Sequence, residues 1–300
     1  MKENDNESPL TERRNPASYG LDKMNALEIT TLMNQEDENA IRAVRNASPE
    51  IAKAMELFAM VYQAGGRIAY MGAGSSGRYG ILDMVELMPT FGVDPNQFIG
   101  LLAGGKEAMF RAQENSEDSL IGAERDMESI PFHKGDLLIG IAASGRTPYV
   151  IRGLEIAKKK GMHTISISCT ESDLLSPYAE ISIHLLCGPE VLTGSTRLKA
   201  GTAEKMALNI ISTGAMVLSG KVYQNLMVDL LPSNAKLHDR SIRIVMEAAS
   251  CSREKAEDTL RKCGYHPKEA IVMIRLSCSR EEAQKALKEA GGFVDKAIHH

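Results

Sequence analysis

Between Asn25 and about Gln63, apolar residues recur at helical spacing: Leu27, Ile29 and Leu32, then Ile41, Val44, Ile51, Met55, Phe58 and Met60. The pattern predicts a helical N-terminal segment that packs on the body or on a partner subunit. From Arg67 the pattern changes to short continuous apolar runs, Ile68–Met71, Phe98–Leu102, Leu137–Ala142, Thr164–Ser168 and Ile181–Leu186. Amphipathic stretches separate them, among them Arg78–Met88, Glu107–Glu114 and Tyr149–Lys159. Unbroken apolar strands alternating with helices are buried on both faces, which predicts an α/β, doubly wound parallel sheet. A long apolar helix from Ala203 to about Leu218 closes it. Ligands of such sheets bind outside the carboxyl ends of the strands, so the loops after these runs are where chemistry is to be sought.

The last sixty or so residues repeat. Ser250-Cys-Ser-Arg-Glu254 recurs as Ser277-Cys-Ser-Arg-Glu281, a shift of 27 that also maps Gly264 onto Gly291 and Ala270-Ile271 onto Ala297-Ile298. Ser279 followed by Glu282 fits a capping box, and the two glycines stand where helices would stop. Two copies of so short a period do not make a solenoid. A compact helical domain resembling the ubiquitin-associated type is expected, after a linker near Pro232–Asp239. The chain is thus read as an N-terminal helical arm (1–54), an α/β body (55–232) and a small C-terminal helical domain (233–300).

Composition narrows the partners. Of 300 residues, 43% are hydrophobic and 25% charged, enough for a sizeable core. Lys+Arg 35 against Asp+Glu 39 leaves −4, no excess of positive charge for binding nucleic acid or an anionic membrane. Aromatics are 5% with no Trp, which weakens any base-stacking reading. The five cysteines, 169, 187, 251, 263 and 278, form no C-x-x-C and suit a reducing cytosol. The polar first twenty-odd residues lack the apolar core of a signal peptide, and no apolar run reaches transmembrane length. The expectation is a soluble, cytoplasmic protein with no nucleic-acid or membrane partner.

Three segments carry candidate chemistry. After the first strand, Gly72-Ala-Gly-Ser-Ser-Gly-Arg78 contains G-x-G-x-x-G, weak alone as a nucleotide fingerprint. No acidic residue ends the second strand, and Ser75 and Ser76 add hydroxyls where a dinucleotide loop needs bare backbone. With Gly77 and Arg78, the loop suits a small polar ligand. After the third strand, Ser144-Gly145-Arg146-Thr147 precedes Pro148, a residue suited to the first turn of a helix. Its hydroxyls and free amides would make an anion site, an ordinary strand-to-helix turn being the alternative. Before the buried helix, Glu190–Lys205 concentrates Thr193, Ser195, Thr196, Arg197 and Lys199, a density of cation and hydroxyl that suits an oxygen-rich ligand.

In this order, these segments resemble the sugar isomerase (SIS) domain, a phosphosugar-binding α/β fold. The longer strings Met71–Thr90, Ile141–Val150, Gly194–Thr202 and Asn225–Asp229 resemble the N-acetylmuramic acid 6-phosphate etherase family, over nearly the whole chain. Ala142 departs from the phosphate-contacting serine of many SIS domains, which shifts that contact onto Ser144 and Thr147. The resemblance implies a lyase that removes D-lactate from C3 of N-acetylmuramate 6-phosphate and leaves N-acetylglucosamine 6-phosphate. In the open-chain sugar the ether is β to an aldehyde, so elimination and water addition need a base at C2, an acid at the departing oxygen and a phosphate anchor. The resemblance assigns Glu86 as acid and Glu117 as base. Spacing alone leaves Glu114 and Asp118 beside Glu117 open, and an unselected helix glutamate is ordinarily a solvated one. His238 is a candidate for ring opening, a structural linker histidine being the alternative. No histidine spacing suggests a metal, and no cofactor is expected. SIS domains usually pair, so a homodimer is expected. The competing readings are an aldose–ketose phosphosugar isomerase and a non-catalytic sugar-phosphate sensor.

Overall fold

The computed structural model describes residues 9–113, 115–230 and 235–299. The boundary expected at 232/233 lies outside the described residues, as does Glu114. The chain divides into two compact units, Met1–Met84 with Asn96–Ile211, and Val85–Pro95 with Ser212–His300.

In the first unit, α1 (Ala26–Asn46) and α2 (Ser48–Gln63) form the helical segment that the spacing predicts. Asn25 starts α1 with a capping box: Asn25 Oδ1 accepts from the Glu28 amide at 3.0 Å, and Glu28 Oε2 accepts from the Asn25 amide at 2.7 Å. The sheet follows, with β1 (Ile68–Gly72), α3 (Gly74–Phe91), β2 (Phe98–Leu102), α4 (Leu120–Glu128), β3 (Leu137–Ile141), α5 (Pro148–Lys159), β4 (His163–Ser168), β5 (Ile181–His184) and α6 (Lys199–Leu218); Val85–Phe91 of α3 and Ser212–Leu218 of α6 belong to the second unit. All five apolar runs are strands, and each pairing is parallel in the order β2-β1-β3-β4-β5. β1 and β3 are buried along their whole length, as strands covered on both faces must be. One face packs Met71, Leu138 and Leu101 against Ala123 and Met127 of α4 and Tyr149, Val150 and Leu154 of α5.

The strand order reverses between β1 and β3, where an open α/β sheet leaves a crevice for ligand. Gly72 is in register with Ile141, so the loops after the two strands leave the sheet side by side. Glycine at 72 and 77 lets β1 touch the first turn of α3, since a Cβ on Gly72 would lie 2.6 Å from Gly77 Cα.

The second unit holds a short hairpin, β6 (Val222–Tyr223) and β7 (Leu226–Met227), then α7 (Ala235–Ala249), α8 (Arg253–Lys262), α9 (Pro267–Leu276), α10 (Arg280–Glu289) and α11 (Val294–His299). Residues 235–239, expected as linker, are the first residues of α7. The sequence repeat is a backbone repeat: left-handed φ angles pair across the shift of 27 at Ser250 and Ser277, Gly264 and Gly291, and Tyr265 and Gly292. Ser252 caps α8 as Ser279 caps α10, the latter with the expected capping box. Val245, Leu260, Ile271 and Val272 fill a core of their own.

Candidate active site

At the β1/β3 reversal lies a cavity of about 380 Å³ lined by Ala73–Ser76, Ala142–Ser144, Thr147, Gly194–Arg197, Glu117 and Glu12. Two helices begin at its wall. α3 starts at Gly74, whose φ of +53° lets the chain turn from strand into helix within two residues. α5 starts at Pro148 with Thr147 as N-cap, and the Thr147 hydroxyl makes no capping bond, so it is available to a ligand. Free amides and the partial positive charge of these helix ends favour an anion. The start of α6 differs, because buried Glu190 accepts from the amides of Ala200 at 2.9 Å and Lys199 at 3.3 Å. The loop before α6 therefore serves the cavity through Ser195, Thr196 and Arg197.

The cavity brings together Ser75, Ser76, Ser144, Thr147, Ser195, Thr196, Arg197 and Glu117 of the residues expected from sequence. Glu117 sits on a short 3-10 turn, Ser116–Asp118, entered through left-handed Asn115. It also borders a neighbouring hollow of about 190 Å³ with Arg78. Arg78 is committed to the wall, donating through Nε and Nη2 to the Ala108 carbonyl at 3.0 and 2.7 Å. Gly77 and Gly145 act through backbone fit, and the Arg146 side chain is exposed.

Three further residues are not in this cavity. Lys199 is 2% exposed and turns away, its Nζ donating to Glu36 Oε2 at 2.5 Å. Burial alone would raise the Glu36 carboxyl, but hydrogen bonds from Lys199 and Asn15 outweigh it and hold Glu36 below its ordinary value. The cation expected for an oxygen-rich ligand thus serves to hold α1 against the start of α6. Glu86 is exposed on α3, twelve residues beyond Gly74 and about 18 Å along the helix axis. His238 lies on α7 with its ring edge-on to Tyr265 at 4.6 Å.

Two carboxyl groups at the site escape sequence reasoning. Glu12, on a 3-10 turn in the polar N-terminal segment, lines the cavity with its Oε2 beside Gly194. Glu204 on α6 is fully buried, and its Oε1 is 2.9 Å from Ser76 Oγ. Burial pushes the Glu204 carboxyl up to about 8, with the Ser76 hydrogen bond opposing. A glutamate inside a predicted apolar helix was the available signal. Among the described residues, no group of three or more His, Cys, Asp or Glu side chains could hold a metal ion, and no helix is long and apolar enough to cross a membrane.

The sheet order, with serine- and threonine-bearing loops at its reversal, defines a sugar isomerase-type domain. Residues 50–172 match the glucokinase regulatory protein N-terminal SIS domain, and residues 224–279 match the C-terminal lid domain of glucokinase regulatory protein. A phosphoheptose isomerase structure from Francisella tularensis shares the fold with a TM-score of 0.50 at 17% identity, covering 64% of this chain and 98% of that one. An N-acetylmuramic acid 6-phosphate etherase from Lactobacillus johnsonii is 50% identical over 262 residues, 87% of this chain and 88% of that protein. The etherase of Klebsiella aerogenes is 46% identical over 289 residues, 96% of each. This chain belongs to the N-acetylmuramic acid 6-phosphate etherase family.

Proposed function

We infer that this chain is a carbon–oxygen lyase that converts N-acetylmuramate 6-phosphate to N-acetylglucosamine 6-phosphate and D-lactate, in cytoplasmic recycling of a cell-wall amino sugar. The observation that carries this reading is the meeting, in one cavity, of the Ser144–Thr147 loop at the start of α5 with the Glu117 carboxylate. The loop anchors the phosphate and holds the open-chain sugar with C2 toward Glu117. Glu117 takes the C2 proton, the electron pair forms the C2=C3 double bond, and the C3–O bond breaks. Glu86 protonates the departing lactate oxygen. Water then adds its hydroxyl to C3 and gives its other proton to the Glu86 carboxylate, and C2 regains a proton from Glu117. His238 is the candidate for ring opening, a structural histidine packed on Tyr265 being the alternative.

The chain acts as a homodimer. Leu82, Val85 and Met88 are large apolar residues exposed on α3. Glu86 lies among them, so a second copy covering this stretch would bring Glu86 into an interface.

A coupled assay for D-lactate on N-acetylmuramate 6-phosphate tests the reading, with deuterium at C2 of the product expected in heavy water. Conversion of glucosamine 6-phosphate or fructose 6-phosphate without lactate release would instead establish an isomerase.

A further inference from the structure

The reaction above leaves Glu204 without a task, although it stands behind Ser76 at the cavity wall. Its Oε1 is 2.9 Å from Ser76 Oγ, while Oε2 is buried with no hydrogen-bond partner. A carboxylate with one bare oxygen in the interior is costly, and burial keeps the group neutral up to a pH of about 8. The neutral acid must put its proton on one oxygen. On Oε2 it would be a buried O–H with no acceptor. On Oε1 it is donated to Ser76 Oγ and leaves only a carbonyl-type oxygen unpartnered, which proteins tolerate better. Ser76 Oγ then accepts, and its own O–H is free to turn into the cavity.

We propose that Glu204 is a positioning residue: as a neutral acid it donates to Ser76 Oγ and makes the Ser76 hydroxyl a hydrogen-bond donor to an oxygen of the anionic phosphosugar. Loss of the proton reverses the bond. Ser76 must then donate inward to the carboxylate, its donor leaves the cavity, and a negative charge stands behind an anion site.

Burial alone raises the Glu204 carboxyl, and only the Ser76 hydrogen bond opposes it. Cys169, after β4, faces Glu204 as a neutral thiol, pushed well above the ordinary value first by the Cys187 hydrogen bond and then by burial. Glu190 is tied to the α6 amides. The cations on the helix of Glu204 are engaged elsewhere, Lys199 with Glu36 and Lys205 Nζ at 2.6 Å from the Asn209 amide group.

The proposal rests on the phosphosugar reading, and its test is separable from it. Binding of N-acetylglucosamine 6-phosphate is measured by calorimetry from pH 7 to 9.5 for the wild-type chain and for Glu204→Gln. The second phosphate ionisation, near pH 6, is essentially complete across this range, so the ligand scarcely titrates. Wild-type binding is expected to weaken about tenfold by pH 9, as the protonated fraction falls. Glu204→Gln keeps a permanent N–H donor toward Ser76 and should lose no affinity over the same range. Equal pH slopes in the two chains overturn the proposal, as does failure of the wild type to bind this ligand. Infrared spectroscopy of the wild type needs no variant: a buried protonated carboxyl band is expected at pH 7 and lost by pH 9.5, and its absence at pH 7 overturns the proposal. Failure to release D-lactate would overturn the lyase reading and leave the binding comparison intact.

Discussion

The loop after β3 depends on a single backbone position. Gly145 has φ +66°, and a Cβ there would lie 2.3 Å from Asp173 Cβ and 3.0 Å from its Cα. Asp173 cannot yield, because its carboxylate accepts from the amides of Leu175 and Ser176, the hydroxyls of Ser168 and Ser176, and His184 Nε2, all between 2.7 and 3.0 Å. The Leu174 amide also donates to the Gly145 carbonyl at 2.8 Å, tying the loop to the same turn. In Gly145→Ala the left-handed conformation costs about 1–2 kcal/mol, and displacing packed atoms costs about 1–3 kcal/mol more. Gly74→Ala is the control: φ is +53°, but nothing lies within 4 Å of its Cβ, so only the conformational cost of about 1–2 kcal/mol applies. Urea unfolding of both variants should therefore place Gly145→Ala below Gly74→Ala by about 1–3 kcal/mol. Its KM for the phosphosugar should also rise, since Ser144 and Thr147 move with the loop. Equal destabilisation of the two variants would refute the buttress formed by Asp173. A wild-type KM in Gly145→Ala would refute the loop's part in binding.

Two further outcomes follow from the site. Glu86→Gln and Glu117→Gln are each expected to abolish lactate release; if Glu86 serves the partner's cavity, mixing the two after subunit exchange should restore about a quarter of wild-type activity, because half the dimers then carry one intact site. No recovery, with exchange shown by a tag, would refute action across the interface. Glu204 stands with a folded-state value near 8 against an ordinary 4.5, so the folded chain retains a proton that the unfolded chain releases. Its cost is absent below pH 4.5 and grows as pH rises toward 8, reaching about 3 kcal/mol at pH 7 at 1.36 kcal/mol per pH unit. Glu204→Gln should gain about that much stability at pH 7 and little at pH 4.5, and an equal gain at both, read by urea unfolding, would refute the argument.

Strands and helices were legible because their signals are local. Five apolar runs bounded by turn residues and separated by helical patterns read as parallel strands, and all five pair in parallel. The repeat at 27 residues was legible for the same reason, down to paired left-handed positions. The cavity was half legible: hydroxyls at Ser75, Ser76, Ser144 and Thr147 stand on loops whose place at a sheet edge follows from topology. What failed were long side chains, whose direction is set by packing. Lys199 reads as a ligand cation by composition and Arg78 as part of the glycine-rich loop, yet one holds Glu36 and the other holds the Ala108 carbonyl. Glu12 was unreadable because its turn reaches the cavity from more than sixty residues before the first loop, through contacts without periodicity.

That failure changes how anion capture has to be understood. With Lys199 and Arg78 committed elsewhere, the described lining offers one cation, Arg197, against two carboxylates, Glu12 and Glu117. Side-chain charge therefore does not draw a phosphosugar in, and the net charge of −4 gives no steering from a distance. The attraction has to come from neutral donors fixed in place: the amides at the starts of α3 and α5 and the hydroxyls around them. Donors of this kind hold an anion at short range and in one orientation. In the proposed mechanism this spares Glu117, the base, a cluster of cations around the phosphate. A neutral Glu204 fits the same economy of charge. At the cavity wall a proton that directs Ser76 is useful, whereas a third negative charge would oppose the ligand.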